Sequence, residues 1–139
     1  MERTLSIIKP DAFGKNATGD ILRMIQAEGL RVVASKTLRM SKNQAEGFYF
    51  VHEGRPFFDS LTDFMSSGPV VVSVLEGEGA IKRYRDLMGP TDSTKAPEGT
   101  IRGAYGTDIG ENAVHGSDSA ENAAIEVNYF FSGYELRGL

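Results

Sequence analysis

The chain has 139 residues, no cysteine, two histidines and a formal net charge of −4 at pH 7. This length suits a single domain, 1–139, whose core needs no disulfide or metal staple. The absence of cysteine excludes a disulfide framework and a thiolate metal site, and two histidines argue against a histidine-rich zinc site. Scattered basic residues on an acidic chain argue against binding to a nucleic-acid backbone.

The first half of the chain predicts alternating strands and helices. Residues 4–9 predict a strand in which Leu5, Ile7 and Lys9 share a face, stopped by Pro10. Helical spacing over 21–28, ended by Gly29, is followed by a strand over 30–37. Ser41 begins a helix with capping-box spacing that we expect to extend to Val51. A second apolar stripe predicts a helix over 57–65.

The second half begins with the most strand-like run, 69–75, whose valines predict burial on both faces. It continues into Gly77-Glu78-Gly79 and a helix over 80–88. The third glycine of a dinucleotide fingerprint is replaced by Lys82, and no GxxxxGK[ST] occurs, so both standard glycine-rich phosphate cradles are absent. Residues 89–110 are polar and interrupted by proline and glycine, which is typical of a functional or assembly segment.

The last predicted helix covers 120–131, with Ser117 or Asp118 as its N-cap. Glu126 lies at the margin of its apolar face, either solvated or turned back toward His115. These patterns together predict an α+β domain of about four strands, with helices covering one side of a mainly antiparallel sheet.

His115 stands in the segment Asn112-Ala113-Val114-His115-Gly116-Ser117-Asp118-Ser119. An imidazole with a pKa near 6.5 is suited to proton or phosphoryl transfer at neutral pH, and we expect Gly116 to leave room beside the ring. The alternative is a buried structural histidine next to a helix cap. The other histidine, His52, is predicted to be a surface residue at a helix end.

Six tracts in order make the sequence resemble the nucleoside diphosphate kinase family along essentially its whole length. The tracts are residues 3–11 (RTLSIIKPD), 48–49 (FY), 55–58 (RPFF), 67–71 (SGPVV), 99–103 (GTIRG) and 112–119 (NAVHGSDS). The resemblance implies a ferredoxin-like α/β sandwich with a four-stranded, mainly antiparallel sheet. It also implies a cytoplasmic, Mg²⁺-dependent enzyme, a homotetramer or homohexamer, that needs neither nucleic acid nor a membrane.

The implied reaction is a ping-pong transfer of the γ-phosphate from a nucleoside triphosphate, typically ATP, to a nucleoside diphosphate, with low base specificity. His115 matches the histidine that becomes phosphorylated, and Asp118 lies near a magnesium ion held mainly by the nucleotide phosphates, which it reaches through water. The other catalytic positions implied are Lys9, Tyr49, Ser117 and Glu126. The implied nucleotide-binding positions are Lys9, Phe57, Leu61, Arg85, Thr91, Arg102, Ile109 and Asn112.

Taken singly, several of these residues have other interpretations. Phe57 begins an apolar helix face and would be assigned to the core, whereas Arg85, Arg102 and Glu126 would be assigned to solvent. Many family members carry Thr-Asn-Pro after the helix that ends near Gly89, whereas this chain has the residues GPTDS at 89–93, which leaves its subunit packing open. The competing functions are a non-catalytic nucleotide-binding or interaction module and a phosphohistidine relay to a protein.

Overall fold

A computed structural model describes all 139 residues and contains one four-stranded sheet. The strands are β1 (Glu2–Ile8), β2 (Arg31–Leu38), β3 (Val70–Gly77) and β4 (Val114–Gly116). Their order is β2-β3-β1-β4, and every neighbouring pair is antiparallel. The predicted α+β class and four-stranded antiparallel sheet are therefore confirmed.

Eight α-helices connect and cover the strands. They are α1 (Pro10–Gly14), α2 (Thr18–Ala27), α3 (Lys42–Phe48), α4 (Phe58–Met65), α5 (Ala80–Met88), α6 (Ile101–Tyr105), α7 (Ala120–Phe130) and α8 (Gly133–Leu136). No helix combines the length and the apolar composition that crossing a membrane requires.

Helices cover both faces of the sheet, so the prediction of one covered side is wrong. Ile8 and Leu75 belong to a buried cluster with residues of α2 and α5. Ile7 and Val72 face the other way, into a second cluster with residues of α3, α4 and α7. Because side chains alternate along a strand, two apolar faces require two covering layers. The predicted burial of residues 69–75 on both faces already contained this information.

The ends of several elements depend on local capping. Ser41 and Gln44 form the predicted capping box, and Gly29 follows α2 with a φ of +83°. Helix α3 stops at Phe48, however, and residues 50–52 form a 3₁₀ turn, so the extension to Val51 is wrong as an α-helix. The N-cap of α7 is Ser119, which accepts a hydrogen bond from Asn122 N, and not Ser117 or Asp118.

Two segments, the junction after β1 and residues 89–110, lie beside strand β4. Strand β1 ends at Ile8, and Lys9 is the extended residue before Pro10 opens α1. Residues 89–110, predicted to be weakly structured, contain a 3₁₀ turn at Ser93–Lys95 and helix α6. Both segments lie against β4, because Lys9 N donates to Ala113 O at 2.8 Å and Arg102 Nη2 donates to Val114 O at 2.9 Å.

Candidate active site

A cleft of about 790 Å³ lies at the β4 edge of the sheet, between α3, α4, α7 and the 89–110 segment. The predicted positions that line it are Lys9, Tyr49, Phe57, Leu61, Arg85, Thr91, Arg102, Ile109, Asn112, His115, Asp118 and Glu126. Ser117 is fully buried and lies beneath the cleft. The fold thus brings together residues that are more than a hundred positions apart in sequence.

His115 is oriented by a chain of hydrogen bonds from β1 to α7. Leu5 N donates to Ser117 Oγ at 3.2 Å, and Ser117 Oγ donates to Glu126 Oε1 at 2.7 Å. The same Glu126 oxygen lies 2.8 Å from His115 Nε2. A carboxylate only accepts hydrogen bonds, so the proton of the neutral imidazole is assigned to Nε2. His115 Nδ1 is then the ring nitrogen with a free lone pair.

The imidazole is also enclosed by packing. Phe48 meets the ring edge-on with centroids 5.3 Å apart, and Tyr49 does so at 6.2 Å. The side chain of His115 keeps 21% of its surface exposed. Gly116 does not provide space beside the ring as predicted: a Cβ there would lie 2.8 Å from both Met88 Cε and Tyr84 Cδ2. The missing side chain instead admits α5 against β4.

Lys9 is a buried cation with a defined partner. Its ammonium donates to Asn112 Oδ1 at 2.8 Å, and its side chain has little exposure. Burial, and next the charge of Arg102, lower the pKa of Lys9 to about 8, while Asp11 opposes the shift. Two cations that stay close in a buried place need an anion, and the cleft is open to one.

Arg102 and Arg85 differ in burial and in the number of hydrogen bonds that they make to the protein. Arg102 is buried and donates to three backbone carbonyls, Asn112 O at 3.2 Å, Gly89 O at 2.8 Å and Val114 O at 2.9 Å. Burial lowers its pKa. Arg85 is exposed and makes one long bond, to Gly116 O at 3.3 Å. The interpretation of Arg102 as a solvated residue is wrong, and Arg85 keeps most of its donors free.

Asn112 joins the two halves of the cleft. Its Oδ1 accepts from Lys9, and its Nδ2 donates to Thr91 O at 3.0 Å and Ile109 O at 3.2 Å. Asn112 therefore holds the loop at 89–93 in place through the carbonyl of Thr91, although the sequence of the loop differs from the common family pattern. Asp92 caps the following 3₁₀ turn by accepting from Thr94 N.

The outer walls of the cleft are apolar and accessible. Phe57 is 47% exposed and Ile109 is 65% exposed, so the assignment of Phe57 to the core is wrong. His52 was predicted to be a surface residue, but it is half-buried. Its ring lies between those of Phe57 and Tyr49, with centroid distances of 5.3 and 6.2 Å. Exposed aromatic faces of this kind suit a planar base.

The pKa values of Tyr49 and Asp118 are shifted, and the side chains of the cleft form no acidic cluster. The Tyr49 hydroxyl is buried without a hydrogen-bond partner, and burial followed by the charge of Glu126 raises its pKa. Asp118 is exposed, and the hydrogen bond from Asn122 Nδ2 is the main cause of its lowered pKa. No three acidic or histidine side chains converge as a metal-binding group.

Sequence patterns did not identify Asp11, Phe48 or Asn122 as parts of the site. Asp11 and Phe48 stand in tracts that carry the family resemblance but were given no role, and Asn122 was not singled out. For Asn122 the signal was its spacing of four from Asp118, which places its amide in the first turn of α7, 2.7 Å from the carboxylate that precedes the N-cap.

A histidine with a free ring nitrogen, facing buried and exposed cations in an aromatic-walled cleft, defines a phosphotransferase for nucleotides. The comparisons with known proteins agree. The model of the family described as "Nucleoside diphosphate kinase" matches residues 2–136. The chain is 62% identical over 138 residues to a nucleoside diphosphate kinase of Bradyrhizobium sp. (strain ORS 278), covering 99% of each chain.

Solved structures give the same result. The Aquifex aeolicus nucleoside diphosphate kinase superposes with a TM-score of 0.94 at 52% identity, over 96% of this chain and 97% of the other. A halophilic nucleoside diphosphate kinase from Halobacterium salinarum, solved in complex with CDP, has a TM-score of 0.93 at 41% identity, over 99% and 92%. The chain belongs to the nucleoside diphosphate kinase family, and it is a phosphotransferase acting between nucleoside triphosphates and diphosphates.

Proposed function

We propose that His115 carries the phosphoryl group between the two half-reactions. The observation that supports this role is the bond between His115 Nε2 and Glu126 at 2.8 Å, because it leaves Nδ1 unprotonated. The Nδ1 lone pair attacks the γ-phosphorus as the bond to the β,γ-bridging oxygen breaks, and that oxygen keeps the electron pair. A β-phosphate oxygen of the acceptor diphosphate then takes the phosphoryl group, and Nδ1 recovers its lone pair.

Lys9, Arg85 and Arg102 supply the positive charge that this transfer requires. Phosphoryl transfer depends mainly on positioning and on stabilising charge at the transferring oxygens, so no glycine-rich cradle is needed. Arg85 has free donors for a phosphate, whereas Arg102 has two N–H groups beyond the three carbonyl bonds. The buried hydroxyl of Tyr49 has no partner and is available to a bound ligand.

Mg²⁺ is the proposed cofactor, held mainly by the nucleotide phosphates, where it neutralises their charge. The cleft fits such an ion, because the carboxylate of Asp118 stands exposed at its wall, where it can accept hydrogen bonds from the water shell of a cation. Asp118 would then hold the ion through water, and Asn122 Nδ2 donates to its carboxylate at 2.7 Å.

The nucleotide lies with its base between Phe57 and Ile109 and above Leu61, while Thr91 contacts a phosphate and Lys9 and Asn112 take the ribose hydroxyl. Apolar contact with a base face makes no use of the edge atoms that distinguish bases, so base specificity is low. The complex of the Halobacterium salinarum relative with CDP supports a nucleoside diphosphate as a ligand.

We also propose that residues 1–139 act as one cytoplasmic domain in a homotetramer or homohexamer. The absence of cysteine is consistent with a reducing compartment. Native mass measurement distinguishes the two assemblies.

The test is labelling with γ-labelled ATP and Mg²⁺. We expect acid-labile, base-stable label that GDP removes and that His115→Ala does not acquire. Label that persists in His115→Ala would reject the proposed nucleophile. Label that passes to a protein in preference to GDP would support the relay, and no label with normal nucleotide binding would support a non-catalytic module.

A further inference from the structure

Ala113 has a backbone conformation that L-residues rarely adopt. Its φ is +72°, and the only other non-glycine residue with positive φ is Asn16, a type that tolerates the left-handed region. Val114 N donates to Asn112 O at 2.8 Å, which closes a three-residue turn around Ala113. A γ-turn with positive φ is rare and strained. This one lies two residues before His115 and is fully buried.

The polar groups of Ala113 are held by the junction between β1 and α1. Its N–H donates to Asp11 Oδ2 at 3.0 Å, and its carbonyl accepts from Lys9 N at 2.8 Å. Asp11 Oδ1 is buried and has no hydrogen-bond partner. The carboxylate therefore occupies a place where one oxygen is unsatisfied and the other bonds a strained peptide group, an arrangement that persists only when neighbouring structure enforces it.

The turn connects directly to the reacting groups. Asn112, on one side of Ala113, holds the Lys9 ammonium at 2.8 Å. Val114, on the other side, begins β4, in which His115 pairs with Ile7. Relaxation of Ala113 to negative φ would redirect both neighbours, because a change at one φ angle rotates the chain that follows.

We propose that Asp11 is a positioning residue that holds the strained turn at Ala113 and so sets the distance between His115 and the Lys9–Asn112 pair. The inference rests on the proposed role of His115. Asp11 does not line the cleft, and its side chain bonds only to Ala113 N. Its effect reaches the reaction through the backbone of residues 112–115.

The test compares Asp11→Ala, Asp11→Asn, Ala113→Gly and the double variant Asp11→Ala/Ala113→Gly. The readout is the single-turnover rate of His115 phosphorylation as a function of ATP concentration. Each rate is divided by the amount of folded protein, which is measured by thermal unfolding. We expect Asp11→Ala to lower the maximal rate by about 10- to 100-fold, with a smaller change in half-saturating ATP, because misplacement of the nucleophile affects chemistry more than binding.

Two variants separate positioning from charge and from general destabilisation. Asp11→Asn keeps an oxygen that can accept from Ala113 N–H, and we expect it to stay within about fivefold of the wild-type rate. The double variant is expected to regain about tenfold over Asp11→Ala, because glycine adopts positive φ without strain. Ala113→Gly alone keeps Asp11 intact. Should Asp11→Ala fail to fold, the double variant is compared with Ala113→Gly.

The matched control is Glu135→Ala, which removes another carboxylate that accepts a backbone N–H, from Ser132 at 2.9 Å, far from the cleft. Its phosphorylation rate is expected to equal that of the wild type. A wild-type rate in Asp11→Ala, an equal loss in Asp11→Asn, or no recovery in the double variant would each overturn the inference. Those results leave the role of His115 intact, whereas a wild-type protein that takes no label rejects both.

Discussion

His115 Nε2 and Glu126 Oε1 lie 2.8 Å apart, and this one contact fixes which ring nitrogen is free. Glu126→Ala removes the acceptor, so both tautomers become populated and the ring can rotate. We expect the rate of enzyme phosphorylation to fall by about 10- to 100-fold, the usual loss when an orienting partner is removed. The measurement is single-turnover labelling, with exposed Glu121→Ala on the same helix as the control. An unchanged rate in Glu126→Ala would show that Glu126 does not orient the ring.

Lys9 predicts an alkaline limit to activity, because its pKa is lowered to about 8 by burial and by Arg102. Since the charged form binds phosphate, kcat/KM is expected to fall above pH 8, about tenfold per pH unit. A bound nucleotide raises the pKa of Lys9, so kcat should fall only at higher pH. Lys9→Arg stays protonated and should lose this limb. A limb that persists in Lys9→Arg would assign it to another group.

The same lysine affects folding with a definite sign. Its pKa is about 8 in the folded chain and 10.5 as an ordinary exposed lysine, so between these values the unfolded chain binds more protons. The contribution of Lys9 to the free energy of unfolding therefore rises from pH 8 to pH 10.5 and is least favourable below pH 8. Comparing Lys9→Met with the wild type across this range by denaturant titration isolates the effect, which should be absent in the variant.

Substitutions of Arg102 and Arg85 should separate an effect on the free energy of unfolding from an effect on nucleotide binding. Arg102→Lys cannot reach three carbonyls at once, so we expect the free energy of unfolding to fall by about 2–4 kcal/mol. Arg85→Lys should change it by less than about 1 kcal/mol while raising KM for the nucleotide. Thermal unfolding and steady-state kinetics on both variants check this contrast. Equal destabilisation by the two substitutions would contradict it.

Gly116 is expected to be intolerant of a methyl group for reasons of packing. The ring of Tyr84 cannot move away, because its hydroxyl is hydrogen-bonded to Ser6 at 2.7 Å. Gly116→Ala should lower the free energy of unfolding by about 1–3 kcal/mol. Gly19→Ala, in α2 with open space around it, should instead raise it by about 0.5–1 kcal/mol. Denaturant titration of both variants tests the opposite signs.

Phe57→Ala tests recognition of the base by its face. We expect KM to rise for ATP, GTP, CTP and UTP by similar factors, corresponding to about 1–3 kcal/mol of lost stacking. His52→Ala, which removes a ring that packs against both Phe57 and Tyr49, should have a smaller effect in the same direction. A large difference between bases would indicate contacts to base edges.

Local chemistry predicted the parts of the fold that depend on neighbours in sequence. The capping box at Ser41, the stop at Gly29 and the valine-rich β3 all depend on side chains a few residues apart. The N-cap of α7 was misplaced because residues 117, 118 and 119 are all capping types, and only the path of the chain distinguishes them. The second covering layer was missed because the apolar stripe of α7 does not indicate which face of the sheet it contacts.

Parts of the site could not be predicted from pattern because their partners are backbone atoms. Arg102 is buried against the backbone carbonyls of Gly89, Asn112 and Val114. Every residue type carries such a carbonyl, so no sequence pattern marks these partners. Ala113 has positive φ although alanine does not favour it, and its N–H is bonded to Asp11, which is distant in sequence. The resemblance to a known family supplied the position of Arg102, but it gave no role to Asp11 or Ala113.

Strand β4 has only three residues, and Lys9 meets Asn112 across a sequence separation of 103. Residues 112–126 are also synthesised after β1, β2 and β3. A nascent chain can already have paired β1, β2 and β3 while residues 112–126 are still inside the ribosome. Such a chain lacks the imidazole, its glutamate and the partner of Lys9, so it cannot consume nucleoside triphosphate.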